Sequence, residues 1–336
     1  MADRAILVEG LTKRFGDIVA LDGVDFEVPA GTIFGLLGPN GAGKTTCIRV
    51  LSTILIPDAG RAEVLGRDVV SDPQEVRYSI GLAGQYAAVD QNLTGRENLR
   101  LIGKLAHLHR ADIMPRAGEL LERFDLADAA DRPVRTYSGG MRRRLDLAAA
   151  LVQRPPVLFL DEPTTGLDIQ SRTELWTMIR ELVSEGTTVL LTTQYLEEAD
   201  RLCSHLVVVD GGRVIANDAP QALKAKLGSA VIDLEMKNET AARKAERVLK
   251  ARVDGLVERD RATVRFTAGE GPSELIGVLR SLDTEKVTPV SLTVREPSLD
   301  DVFLQLTGHH AEPAAEEAEA AAPAAGRRRR RQRGAA

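Results

Sequence analysis

Only two cysteines occur among the 336 residues, Cys47 and Cys203. They lie far apart and form no C-x-x-C, which argues against a disulfide framework or a cysteine zinc site and favours a reduced, cytoplasmic setting. No run approaches the roughly 20 apolar residues of a membrane-spanning helix, and Met1 to Leu11 has no apolar stretch of the kind found in a secretory signal. Work at a membrane would therefore need another chain to do the crossing. Charge of one sign is lacking too. Lys and Arg total 44 against 49 Asp and Glu, a formal net charge of −5, and that balance argues against nucleic acid as a partner. Hydrophobic residues make up 43% of the chain, an ordinary globular share that allows a sizeable core. At one domain per ~150 residues the length suits about two domains.

What the chain does have is a phosphate-binding pattern. Gly38-Pro39-Asn40-Gly41-Ala42-Gly43-Lys44-Thr45-Thr46 fills G-x-x-x-x-G-K-[ST]. The apolar run Thr32 to Leu37 before it reads as a buried strand, and Thr45 to Ile54 after it has the apolar spacing of a helix. Strand, glycine loop and helix start thus come in the order the chemistry requires. Glycines let backbone N–H groups close around phosphate oxygens, and the helix N-terminus adds its partial positive charge. On this pattern Lys44 reaches the β- and γ-phosphates of a bound nucleotide and the Thr45 hydroxyl ligates Mg2+.

Strands are expected at Ile6 to Val8 and Val24 to Val28, flanking the turn Phe15-Gly16-Asp17, and again at Ala62 to Leu65, Val157 to Leu160, Thr188 to Leu191 and Leu206 to Val209. From about Gln85 to Arg154 the pattern turns helical, with runs at Asn98 to His107, Ile113 to Phe124 and Gly139 to Val152, and Arg172 to Ser184 is a further helix. Strands alternating with helices imply an α/β fold, a mostly parallel sheet with crossover helices, interrupted by a helical insertion.

Two further stretches carry chemistry. In Val157-Leu158-Phe159-Leu160-Asp161-Glu162, four apolar residues precede two carboxylates at a strand's carboxyl end, the edge where open α/β sheets bind ligands. There Asp161 can hold Mg2+ and Glu162 can face a γ-phosphate and, as general base, polarise the attacking water. An acidic turn after a strand is the other reading. Tyr137-Ser138-Gly139-Gly140-Met141 opens a helix with a capping hydroxyl and bare N–H groups, a second anion site. The following Arg142-Arg143-Arg144 reads as a solvated helix face rather than a ligand clamp.

Taken together, the loop at Gly38, Gln85 in GLAGQ, YSGGM at Tyr137, VLFLDEP at Val157, TGLD ending at Asp168 and TTQYLEEAD at Thr192 resemble the ATP-binding cassette (ABC) ATPases. The motifs come in that family's order over roughly residues 5 to 220, with YSGGM where the family has LSGGQ. Within it, Gly84 to Leu99 and Pro297 to Gly308 are similar to the daunorubicin/doxorubicin resistance ATP-binding proteins. The resemblance implies a P-loop NTPase cassette over residues 1–222 with a helical subdomain at about 86–154. It implies the ATP-hydrolysing subunit of an exporter of a drug or antibiotic, anthracycline-like by family, acting through a separate membrane permease from the cytoplasmic face of the membrane. It further implies a homodimer in which Ser138, Gly139 and Gly140 serve the ATP held by the partner's phosphate loop, with Asp168 at the seam. Gln85 would contact Mg2+ beside Thr45 and Asp161 and sense the permease. Phe15 stands where the family stacks an aromatic ring on adenine, and a core aromatic is its other reading. Where the family commonly has histidine after the Thr188 to Leu191 strand, this chain has Gln194, which can hydrogen-bond a phosphate oxygen or orient water but carries no proton or charge. The alternatives are the ATPase of a lipid or polysaccharide exporter, or a soluble cassette protein without a transport role.

Beyond Pro220 the pattern reads strand (Val231 to Met236), helix (Thr240 to Ala251), strands (Leu256 to Glu258 and Ala262 to Thr267), helix (Pro272 to Leu282), strand (Val287 to Val294) and a last helix. That βαββαβ order predicts a small α+β domain of ferredoxin-like arrangement over residues 226–308, regulatory or dimer-stabilising. Ser298 with Asp301 three residues on is close to a capping box. Residues 309–336 are rich in Ala, Glu and Arg and read as a disordered tail, whose arginines either touch anionic lipid or stay solvated.

Overall fold

The computed structural model describes residues 4–84, 89–228, 230–253, 257–268 and 272–307. Gln85, the Leu256 end of one expected strand and the tail lie outside the described residues.

The first part of the chain runs β1 (Arg4–Phe15), β2 (Ile18–Pro29), β3 (Ile33–Leu37), α1 (Lys44–Leu51), β4 (Ala59–Val64), β5 (Arg67–Asp68), α2 (Pro73–Ser79) and β6 (Ile80–Ala83). There follow α3 (Gly95–Leu105), α4 (Arg110–Arg123), α5 (Gly139–Ala150), β7 (Val157–Asp161), α6 (Ile169–Ser184), β8 (Thr188–Thr193), α7 (Leu196–Leu202), β9 (His205–Asp210), β10 (Arg213–Asp218) and α8 (Pro220–Ala225). The remainder is β11 (Ala230–Glu235), α9 (Glu239–Lys250), β12 (Val257–Asp260), β13 (Thr263–Ala268), α10 (Pro272–Thr284), β14 (Ser291–Arg295) and α11 (Leu299–Thr307).

The central sheet has the order β10-β9-β3-β8-β7-β6. Its neighbours pair in parallel, apart from the antiparallel β9–β10 edge. Every residue of β3, β7 and β8 is buried, as expected of parallel strands covered on both faces, whose sequences therefore run apolar instead of alternating. Because β3, β8 and β7 are adjacent and parallel, the segments leaving their carboxyl ends emerge side by side: the glycine loop after Leu37, Gln194 after Thr193, and Glu162 after Asp161.

The two N-terminal strands do not join that sheet. They belong to an antiparallel sheet of order β2-β1-β4-β5, and each is 12 residues long, far longer than the short runs expected at Ile6 to Val8 and Val24 to Val28. Register shifts near Gly10 and Gly23 explain the difference, since each extra residue breaks the period-two alternation by which a strand is read. The strands meet across a two-residue loop, Gly16-Asp17, with Phe15 paired to Ile18. Also unanticipated were α2, β6, α7 and β10, all too short to show a periodicity of their own.

α3, α4 and α5 pack together. A reciprocal cap starts α3: the Glu97 N–H donates to Thr94 Oγ1 at 3.1 Å and the Thr94 N–H to Glu97 Oε2 at 2.8 Å. Tyr137 is buried there, its hydroxyl donating to the Ala129 carbonyl at 2.7 Å. The third sheet is wholly antiparallel in the order β12-β13-β11-β14. Ile232, Leu234, Val264 and Phe266 from it form one core with Ala242 and Leu249 of α9 and Val278 and Leu282 of α10. α11 behaves differently. Its Leu299, Val302 and Phe303 are buried with Leu196 and Leu202 of α7 and Leu223 of α8, in the largest apolar core of the molecule.

Candidate functional site

The loop Gly38 to Gly43 is held by its own backbone. The Gly38 N–H donates to the Thr193 carbonyl at 3.3 Å, Ala42 to Pro39 at 3.2 Å and Gly212 to Ala42 at 3.1 Å. Gly43 caps α1 at φ 107°, and a β-carbon there would lie 2.3 Å from the Ala20 carbonyl oxygen, so both its angle and its space demand glycine. At Gly38 a β-carbon would meet the Val209 carbonyl at 2.2 Å. With no side-chain cap on α1, its N-terminal N–H groups and dipole are left for an anion. Lys44, the first residue of α1, is 4% exposed. Its ammonium donates to the carbonyls of Gly38 at 2.7 Å and Pro39 at 3.0 Å and lies 3.6 Å from Glu162 Oε1.

Thr45 Oγ1 donates to Asp161 Oδ1 at 3.1 Å, and Thr192 Oγ1 donates to the same oxygen at 2.6 Å. Hard oxygen donors, one of them a carboxylate, are what Mg2+ takes when substrate phosphates supply further ligands. No group of three or more His, Cys, Asp or Glu gathers among the described residues to hold a metal without such help. Glu162 is buried and sits at φ 49°, a left-handed backbone that costs a side-chain-bearing residue of order 1 kcal/mol. Two bonds from its N–H keep it there, to the Thr192 carbonyl at 3.2 Å and Thr192 Oγ1 at 3.0 Å. The buried Oε1 of Gln194 has no hydrogen-bond partner among the described residues, an acceptor that a water proton would satisfy.

Ser138 caps α5 by accepting from the Met141 N–H at 3.1 Å, and both Ser138 and Gly139 are exposed. A β-carbon on Gly140 would come within 2.7 Å of Ser171 Oγ, so this helix start abuts the start of α6. Asp168 caps α6, accepting from the Ser171 N–H at 2.7 Å, and that bond holds its carboxyl below the usual range. The second anion site and Asp168 are therefore neighbours. Phe15 is 45% exposed, which removes the core reading of that ring.

The arginine run is a correction. Arg143 is not on a solvated face: its side chain is 12% exposed and turned inward, bonded to backbone carbonyls of two other segments. Helix spacing could not have placed it, because its partners, Gly84, Asp161 and Pro163, lie on segments distant in sequence. Two other residues were missed. Thr192 is a buried hydroxyl shared by Asp161 and Glu162, and its signal was a polar residue directly after the apolar Val189 to Leu191 run, still inside the buried strand. Glu198, 1% exposed, accepts from Trp176 Nε1 at 3.0 Å. Burial raises its pKa, opposed by Thr193, Trp176, Thr164 and Arg172. Both cysteines are buried thiols, and burial pushes that of Cys47 up to about 12.

Residues 21–165 match the protein family described as ABC transporter. The chain is 54% identical over 308 residues to the daunorubicin resistance ATP-binding protein DrrA3 of Streptomyces coeruleorubidus, across 92% of this chain and 97% of that protein. It is 49% identical over 320 residues to the daunorubicin/doxorubicin resistance ATP-binding protein DrrA of Streptomyces peucetius, across 94% and 97%. Among solved structures, cbiO1 of Clostridium perfringens, part of the ABC transporter complex cbiONQ, superposes with a TM-score of 0.61 at 26% identity, covering 75% of this chain and 96% of that one.

Proposed function

From the premise that this chain belongs to the ATP-binding cassette ATPases, in the daunorubicin/doxorubicin resistance ATP-binding protein family, we propose that it powers export of an anthracycline-like drug or antibiotic through a separate membrane permease. It is the ATPase subunit of an ABC transporter. The observation that carries the reading is the meeting of Lys44, Thr45, Asp161, Glu162 and Gln194 at three neighbouring strand ends. Lys44 exchanges its loop carbonyls for the β- and γ-phosphates, helped by the N–H groups of residues 38–46. Glu162 accepts a proton from the attacking water, and the free Oε1 of Gln194 orients that water. Mg2+, held by Thr45, Asp161 and Gln85, would supply neutralisation of the phosphate charge. The exposed ring of Phe15 is available to stack on adenine.

Two anion sites on one chain find one explanation in a homodimer whose Ser138, Gly139 and Gly140 serve the partner's ATP, with Asp168 and the 69% exposed Ile169 at the seam. Exposed apolar side chains on α2 and α3, Tyr78 at 57% and Leu105 at 70%, support docking to a permease. No helix among the described residues is long and apolar enough to cross a membrane, and on this reading the chain sits at the cytoplasmic face, held by its partner. Residues 1–222 form the ATP-binding domain, residues 226–308 a ferredoxin-like regulatory or dimer-stabilising domain, and residues 309–336 a tail. The antiparallel order β12-β13-β11-β14 under α9 and α10 supports the second of these.

The test is ATP-dependent uptake of a fluorescent anthracycline into inside-out vesicles holding this protein and its membrane partner. Uptake by the wild type that is lost in Glu162→Gln is expected. Hydrolysis with no drug movement would sink the substrate class and leave the ATPase standing.

A further inference from the structure

Arg143 ties α5 to two other segments of the chain. Nε donates to the Pro163 carbonyl at 2.7 Å and Nη2 to the Asp161 carbonyl at 3.3 Å, both in the segment that carries Glu162. Nη1 donates to the Gly84 carbonyl at 2.5 Å, at the end of the edge strand β6 and one residue before Gln85. The same Nη1 lies 3.2 Å from Asp146 Oδ2, one turn along α5, a carboxylate that is 1% exposed and fixes the guanidinium in place. The planar fork of arginine suits this task, because its donors leave in fixed directions and keep their charge when buried.

The same helix begins at Ser138. From Ser138 to Arg143 is five residues, roughly 7–8 Å of a rigid α-helix, so a displacement at one end is carried to the other. We infer that Arg143 is a positioning residue that ties α5 to the end of β7 that carries Asp161 and Glu162, so that phosphate bound at Ser138 and Gly139 sets the geometry of those two carboxylates in the same chain. This rests on the composite-site homodimer proposed above. Under it, each chain's helix start reads the partner's ATP while Arg143 reports that contact to the chain's own Glu162, and the two sites fire as a coupled pair. Arg143 touches neither nucleotide in this account. It acts through the backbone of Asp161 and Pro163, with the Gly84 bond as a second arm at the end of β6.

The test uses the full-length chain and compares wild type, Arg143→Gln and Arg143→Lys for ATP turnover against ATP concentration, for equilibrium ATP affinity, and for fold by circular dichroism. Wild type is expected to hydrolyse ATP with a Hill coefficient above one. In Arg143→Gln the coefficient falls to one and turnover falls at least tenfold, while ATP affinity, set by the phosphate loop, stays within twofold. Lysine restores charge but not the fork and is expected to fall between the two. A purely structural arginine would lower affinity and turnover together and leave the Hill coefficient alone, and that result overturns the inference. Cooperative wild type with unchanged Arg143→Gln kinetics overturns it as well. Should Arg143→Gln fail to fold, Arg143→Lys decides, and wild-type cooperativity in that variant overturns the inference. A wild type that is non-cooperative and shows no ATP-dependent dimer in Glu162→Gln removes the composite site itself, and the inference with it.

Discussion

Glu162 occupies a backbone conformation that costs free energy, and the two bonds from its N–H to Thr192 explain why it persists. The same threonine donates to Asp161, so one hydroxyl holds the Asp161 carboxylate and the Glu162 backbone. Lys44 and Glu162 lie 3.6 Å apart yet should separate cleanly by mutation, because in the proposed mechanism one holds phosphate and the other handles a proton. Lys44→Ala should weaken ATP binding by roughly ten- to hundredfold, since a hydrogen bond to a charged group contributes about 1.5–3 kcal/mol and about 1.4 kcal/mol is tenfold. Glu162→Gln should leave affinity nearly intact and slow turnover by roughly 10²–10⁴, the range of general acid–base catalysis. Nucleotide titration of both variants beside single-turnover hydrolysis checks the split. Equal loss of affinity in the two would contradict the roles given to them.

α11 joins the third sheet to the main core. Its apolar face is buried with α7 and α8, while Asp301, fully buried, faces the sheet and accepts from Arg295 Nη1 at 2.6 Å and Nη2 at 2.8 Å and from Ser298 Oγ at 2.7 Å. Asp233 also faces Arg295, at 3.3 Å, and Arg265 lies 3.7 Å from Asp301. Burial alone would raise the Asp301 carboxyl, yet Arg295 and Ser298 hold it down at about 2. A carboxyl whose folded pKa lies below its unfolded value stabilises the fold above the unfolded value, 3.8 here, and that contribution is lost as pH falls from there toward about 2. The contribution is about 2 kcal/mol at neutral pH, at about 1.4 kcal/mol per unit. Asp301→Asn should therefore be less stable than wild type at neutral pH, and the gap should close as the pH falls from about 4 to 2. Denaturant unfolding at several pH values, followed on the third sheet, measures it. A gap that stays constant with pH would show that the carboxylate charge is not what stabilises α11.

Over the whole molecule, the proposed homodimer rests on Ser138 and Gly139, which stand exposed at a helix start where a capping hydroxyl and bare N–H groups suit an anion. Glu162→Gln with ATP should elute from gel filtration as a dimer and without ATP as a monomer, and Ser138→Arg added to it should abolish the shift. A monomer under both conditions would speak against the shared site. Much of this was legible in the residues alone. The phosphate loop is a local device, since consecutive N–H groups of residues 38–46 and the helix they open form one continuous segment. The acidic strand end and the serine-glycine helix start are equally local, and their order along the chain marked the family. Contacts between segments distant in sequence were not legible. The fold, by setting β3, β8 and β7 side by side, brought Thr192 to Asp161, sent Arg143 beneath Glu162 instead of into solvent, and split the N-terminal strands into a sheet of their own. Spacing along a chain encodes what neighbouring backbone groups can do, whereas which distant side chain fills a buried bond depends on strand order and on the burial that makes an unpaired polar group costly.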